Sequence, residues 1–115
     1  MINSEFQTAQ SEEVVISNMD FTGSWAGSAI YYAGFEFSPS MQIIQTGNSF
    51  SGNAVMWGPP CTVSGLISGN IINFTMVLIS DPGMYQIYNG NVSGNTISGS
   101  FIDPATGGTF SVTKQ

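Results

Sequence analysis

The chain has no histidine and no arginine, and Lys114 is its one basic side chain. With so little to neutralise phosphates, DNA, RNA and anionic membrane surfaces are poor partners, and a nucleotide cofactor is disfavoured. Lack of histidine removes the commonest general base and metal ligand. A lone cysteine, Cys61, makes neither an internal disulfide nor a cysteine-rich zinc site. Neither a metal nor any other cofactor is therefore expected. Long apolar runs are also missing. The densest stretch, Ile71 to Ile79, is interrupted by Asn73 and Thr75 and falls well short of the ~18 to 20 residues that a spanning helix needs, so membrane insertion is not expected. The N-terminus shows no basic region followed by an apolar block, so no signal peptide is visible. A chain whose signal had been cleaved would look the same.

What is present points to a folded domain. The 115 residues suit one core, and the net charge of -6 is accompanied by 42% hydrophobic and 12% aromatic residues, which argues against disorder. Ser, Thr, Asn and Gly do most of the solubilising. That composition points towards an exported, extracytoplasmic bacterial protein, although the unpaired Cys61 is equally at home in cytoplasm. Four acidic residues, Glu5, Glu12, Glu13 and Asp20, lie in the first twenty, whereas Glu36, Asp81, Asp103 and Lys114 are the charges of the rest. The division follows: residues 1–20 form an acidic tail, with one helical turn or a short strand around Val14, Val15 and Ile16, and residues 21–115 form the domain.

From Phe21 onward, short runs of β-branched and aromatic residues alternate with turn signals at Gly47-Asn48, Pro59-Pro60, Gly69-Asn70, Asp81-Pro82-Gly83, Gly94-Asn95 and Asp103 to Gly108. Between them strands are predicted near 22–33, 40–46, 49–57, 61–67, 71–79, 84–92, 96–102 and 108–114. The spacing is close to the ~8 to 12 residues per strand and turn of antiparallel sandwiches and barrels, and no crossover helix is available for parallel pairing. Gly52, Gly65, Gly90 and Gly99 fall inside strands, where glycine marks bends or close backbone approach. With few charges to guard an exposed edge, closure into a barrel is favoured.

Side-chain alternation orients the strands. Ile72, Phe74, Met76 and Leu78 form an apolar inner face, and Phe21, Trp25, Ala29 and Tyr31 form another with Gly23 and Gly27 between them. Ile71, Val77 and Ile79 then face outward on a surface short of charge, and predict at least a homodimer.

Gly23-Ser24-Trp25, opening the first strong strand, resembles the Gly-x-Trp of the calycin superfamily of lipocalins, fatty-acid-binding proteins and avidins. Tyr85-Gln86-Ile87-Tyr88 resembles part of the second lipocalin motif, and Phe50 to Asn53 and Ile97 to Asp103 are similar in texture to avidin hairpins. The resemblance implies an all-β, eight-stranded antiparallel up-and-down barrel with an apolar mouth, and a Lys114 that stacks on Trp25. It does not extend to the lipocalin cysteines or to a set of tryptophans that clamps biotin.

Large and small inward residues fit either a cavity or a filled core. On the first reading an apolar or aromatic small molecule binds in the interior among Trp25, Tyr31, Met56, Trp57, Phe74, Met76, Tyr88 and Phe101. Trp25 is also read as a plug at one end, Trp57 as a rim residue, and the methionines as adaptable surface or gap-fillers. A second reading is a cyclase or isomerase working by shape and desolvation, with Glu36 as general acid or base if it points inward; a solvent position is the competing reading of Glu36. The third is an interaction module with a filled barrel. Asp81 and Asp103 precede prolines and are explained as turn formers, and Cys61 as a small buried residue.

Overall fold

A computed structural model describes residues 20–115. The expectations for the acidic tail before Asp20, including its turn or strand, lie outside the described residues. The rest forms nine strands: β1 (Gly23–Tyr31), β2 (Glu36–Phe37), β3 (Ser40–Thr46), β4 (Ser49–Val55), β5 (Pro60–Ser68), β6 (Ile71–Leu78), β7 (Tyr85–Ser93), β8 (Thr96–Ile102) and β9 (Gly107–Lys114). There is no helix among the described residues. Each strand from β3 to β9 pairs antiparallel with the next, and β9 returns to β1 from Gly108–Tyr31 to Lys114–Trp25, closing the sheet.

The one departure from the predicted strands is instructive. Ile30 and Ala29 pair with Glu36 and Phe37, while Gly23 to Ala26 pair with Ile43 to Ser40. Thus β2 and β3 together are the second stave of an eight-stranded barrel, interrupted at Ser38 and Pro39. Proline has no N–H to give to a ladder, and the gap is spanned by Gly27 donating to the Pro39 carbonyl at 3.2 Å.

The two ends of the barrel differ. At one end β3–β4, β5–β6 and β7–β8 are joined by the Gly47-Asn48, Gly69-Asn70 and Gly94-Asn95 pairs, whose glycines have φ of 64°, 63° and 62°. Those positive values are cheap for glycine and match the twist of a tight hairpin. Phe21 and Trp25 cover this end, stacked at 5.9 Å, with the indole N–H donating to the Phe21 carbonyl at 2.8 Å. Lys114 is the register neighbour of Trp25, but its ammonium donates to the Asp20 carbonyl at 2.8 Å. It therefore ties down the chain entering β1 instead of stacking on the indole as the resemblance implied. The opposite end, the mouth, carries the longer connections 32–35, 56–59, 79–84 and 103–106.

Ile72, Phe74, Met76 and Leu78 are buried as the alternation predicts, and so are Phe21, Trp25, Ala29 and Tyr31. One inner row runs in register through Phe50, Gly65, Phe74, Tyr88, Phe101, Gly108 and Tyr31. Gly65 makes room for a ring, since a Cβ there would overlap the Phe50 ring and lie 2.7 Å from the Phe74 Cβ, whereas Gly108 lets β9 approach the backbone of β1 at Ile30. Phe74 stacks on Tyr88 at 4.6 Å, and Phe110 meets both edge-on at 5.8 and 4.9 Å. Trp25, Met56, Phe74, Met76, Tyr88 and Phe101 are each no more than 2% exposed. In these layers the alternation of large and small residues interleaves side chains, so the mid-barrel volume is taken up by rings. Outside, Ile71 and Ile79 are 49% and 56% exposed, Val77 is half-buried, and Ile44, Leu66 and Ile102 extend the apolar exterior.

Candidate functional site

Among the described residues, the interior becomes polar only near the mouth. Gln86 and Tyr88 lie two apart on β7 and so face the same way, into the barrel, where Gln86 is 0% exposed. A buried amide must be hydrogen-bonded to be tolerated. The Tyr88 hydroxyl donates to Gln86 Oε1, and Gln86 Nε2 donates to the Tyr31 hydroxyl at 3.0 Å. Tyr31, the last residue of β1, in turn meets the Asp103 carboxylate and the Trp57 indole. The outcome is a hydrogen-bonded chain from the packed interior to the mouth, Tyr88 to Gln86 to Tyr31, with Asp103 beside its outer end.

The electrostatics keep the two phenols neutral. Burial pushes the Tyr31 hydroxyl above the usual phenol range, and the neighbouring Asp103 carboxylate adds to it. Burial raises Tyr88 further, aided by Tyr31 and Cys61. Partial burial acts on Asp103 in the opposite sense to its surroundings. The amides of Thr106 and Ala105, donating to Oδ1 at 2.7 and 2.8 Å, together with the Tyr31 hydroxyl, hold the carboxyl below its ordinary value. Asp103 is thus the anion beside the chain at neutral pH, and the tyrosines are its neutral donors.

Aromatic walls surround this chain. Tyr31 meets Phe101 edge-on at 5.1 Å, Phe37 at 5.4 Å and Phe35 at 6.0 Å. Phe35 is 62% exposed and Trp57 is 38% exposed, so both stand at the rim. Cys61 is buried, its thiol pushed up by that burial, and Sγ lies 3.7 Å from the Pro59 carbonyl.

The structure therefore brings Tyr31, Trp57 and Phe101 of the expected set together at the mouth, and joins Tyr88 to them from the packed interior through Gln86. Met56 and Met76 are buried in the core, Phe74 sits beneath Tyr88, and Trp25 is at the far end. Glu36 is exposed on β2 and lines a shallow concavity on the outer wall with Ser28 and Ser111. The inward position on which its role as general acid or base depended is not the one it occupies. Two central residues escaped the sequence reading. Gln86 follows from Tyr88, and Asp103 from Phe101, by the same two-residue alternation that oriented the apolar faces. Asp103 had been accounted for by its turn, and its bonds to Ala105 and Thr106 show that it serves both purposes.

The chain predicts its own sensitivity. Tyr88→Phe removes the donor to Gln86 Oε1 and strands a buried acceptor, so a loss of about 1 to 3 kcal/mol is expected in urea unfolding. An unchanged midpoint would mean that Gln86 finds another donor.

A closed, eight-stranded, up-and-down antiparallel barrel with tight turns at one end and longer connections at the other defines a calycin-like fold. No protein-family model and no curated protein sequence matches the chain. Among solved structures it is similar to the crystal structure of intact afifavidin in its apo form, with a TM-score of 0.53 and 22% identity over 78% of this chain and 80% of that one. The barrel is accordingly of the avidin-like form, in keeping with the resemblance noted in its hairpins.

Proposed function

We propose that the protein binds a small, largely apolar or aromatic molecule at the mouth of the barrel and performs no chemistry on it. The supporting observation is the Tyr31–Gln86–Tyr88 chain, buried polar groups leading to a rim of aromatic rings. Binding sites of this kind combine apolar walls with a few fixed polar groups. Trp57 and Phe35 would cover the apolar part of the ligand, and the Tyr31 hydroxyl would meet its polar group. The net charge of -6 and Asp103 at the rim favour a neutral ligand over an anion. A homodimer through the outward aliphatics Ile71, Val77 and Ile79 belongs to the same proposal, as does residence outside the cytoplasm.

Nile red, a neutral dye whose emission reports an apolar environment, provides the test. It should bind with fixed stoichiometry and quench Trp57 fluorescence. Trp57→Ala should weaken binding at least about tenfold, equivalent to about 1.4 kcal/mol. Absence of binding, or binding indifferent to Trp57→Ala, would remove the mouth as the site. The cyclase or isomerase reading is kept second by one feature, the Tyr31 hydroxyl beside Asp103, an acid at the same seat. Conversion of a flexible apolar substrate that Tyr31→Phe abolished would move the assignment there.

A further inference from the structure

The outer wall of β1, β3 and β4 has a polar arrangement that the mouth does not use. Ser24, Gln42, Asn53 and Thr62 are successive register partners on β1, β3, β4 and β5, and form one row across the staves. At the usual spacing between strands the row is roughly 14 Å long. It is flanked by two concavities of about 320 and 370 Å³, both of which are lined by Ser24, Gln42 and Asn53. The first adds Ala26, Val55 and Pro60 as an apolar wall; the second adds Ile44 and the bare backbone of Gly52. Among the described residues, no charged side chain lines either one.

Two outward cross-strand polar pairs on this barrel satisfy each other. Asn73 Nδ2 donates to Asn89 Oδ1, and Thr96 and Thr113 share a hydrogen bond at 3.2 Å. Gln42 and Asn53 are register partners in the same way, yet among the described residues neither amide is bonded to another side chain. Each amide offers two donors and an acceptor, all in a plane. Their hydrogen-bonding capacity is thus directed into the two concavities.

We propose that this row is a binding site for a neutral oligosaccharide, with one sugar ring in each concavity and the Gln42 and Asn53 amides bonded to ring hydroxyls between them. The chemistry matches on each count. Hydroxyls act as both donor and acceptor, as amides and serines do, and the C–H face of a sugar ring packs on small apolar side chains such as Ala26, Val55 and Pro60. An anionic ligand meets a chain of net charge -6 with no cation in the row. An extended peptide needs a free sheet edge; β4 is paired along both sides, and on β3 beyond its four pairs with β1 the Gln45 N–H is taken by Thr22 Oγ1.

The site is read by the side-chain amide resonances of Gln42 and Asn53 in a ¹⁵N-labelled protein, titrated with cello-, malto- and chito-oligosaccharides and with glucose. At least one oligosaccharide series should move both resonances saturably by about 10 mM, and should bind more tightly than glucose because it fills both concavities. The backbone amides of Ala26, Gly52 and Val55, which line the two concavities, should shift in the same titration; Gln42→Ala with Asn53→Ala should abolish that backbone response, with backbone resonances in the core unmoved, whereas Trp57→Ala should leave it intact. Silence of these amides with every oligosaccharide at that concentration overturns the proposal. So does a response that survives the double substitution, or one that Trp57→Ala removes, since each places the sugar elsewhere.

Discussion

Trp25→Ala is expected to lower stability by about 3 to 5 kcal/mol in urea unfolding, at the upper end for a buried large-to-small change. Three losses coincide at this position. The indole is fully buried, its stack with Phe21 at 5.9 Å goes, and the Phe21 carbonyl loses its donor at 2.8 Å. The cavity cannot close by collapse, because β1 is fixed on one side by β9 and on the other by β3. Trp25→Phe should fall between, keeping a ring to face Phe21 and losing the N–H. If Trp25→Ala cost less than about 1 kcal/mol, the closed end would have to be held by something other than this plug.

Gly99→Ala is expected to cost about 3 kcal/mol, although it adds only a methyl group. A Cβ at this position would overlap the Asn89 carbonyl oxygen and sit 2.7 Å from the Gly90 Cα. Both obstacles are backbone of the neighbouring strand, so the methyl can be accommodated only by parting β7 from β8. The parting would propagate, since Tyr88 and Phe101 pair across the same seam. Ser98→Ala, one residue away and pointing outward, is the control and should stay within about 0.5 kcal/mol of the parent. Equal effects of the two would show that β7 and β8 separate at little cost, and that the close approach does not constrain the sequence.

Much of this architecture was legible in the chain because its signals are local. Gly47-Asn48, Gly69-Asn70 and Gly94-Asn95 mark the hairpins, and the period of two in Ile72 to Leu78 marks the inner face. The short β2 was not legible, since Glu36 and Phe37 pair with only two residues of β1 and two residues have no period to detect. Nor was the destination of the inward glycines. Whether Gly65 leaves a void or admits a ring depends on Phe50 and Phe74 arriving from two other strands, and no local pattern records that convergence. The mouth was half legible. Tyr31, Trp57 and Phe101 were singled out by size and position and lie there, whereas Gln86 was missed because a polar residue in a strand reads as outward until a partner inside is known. The partners, Tyr31 and Tyr88, lie 55 and 2 residues away in sequence.

The placement of the tight turns has a consequence for how such a molecule can change. Each of the three hairpins has its register fixed at the end away from the mouth, by two residues that leave no room for slippage. The connections 56–59 and 79–84 join one hairpin to the next, 103–106 joins the last to β9, and none of the three sets a register of its own. Residues can therefore be inserted or removed at the mouth without shifting any inner row, and the rim can diverge in length and chemistry over an unaltered set of staves. The molecule separates what must be inherited intact from what is free to vary, and it does so by pointing them in opposite directions along one axis.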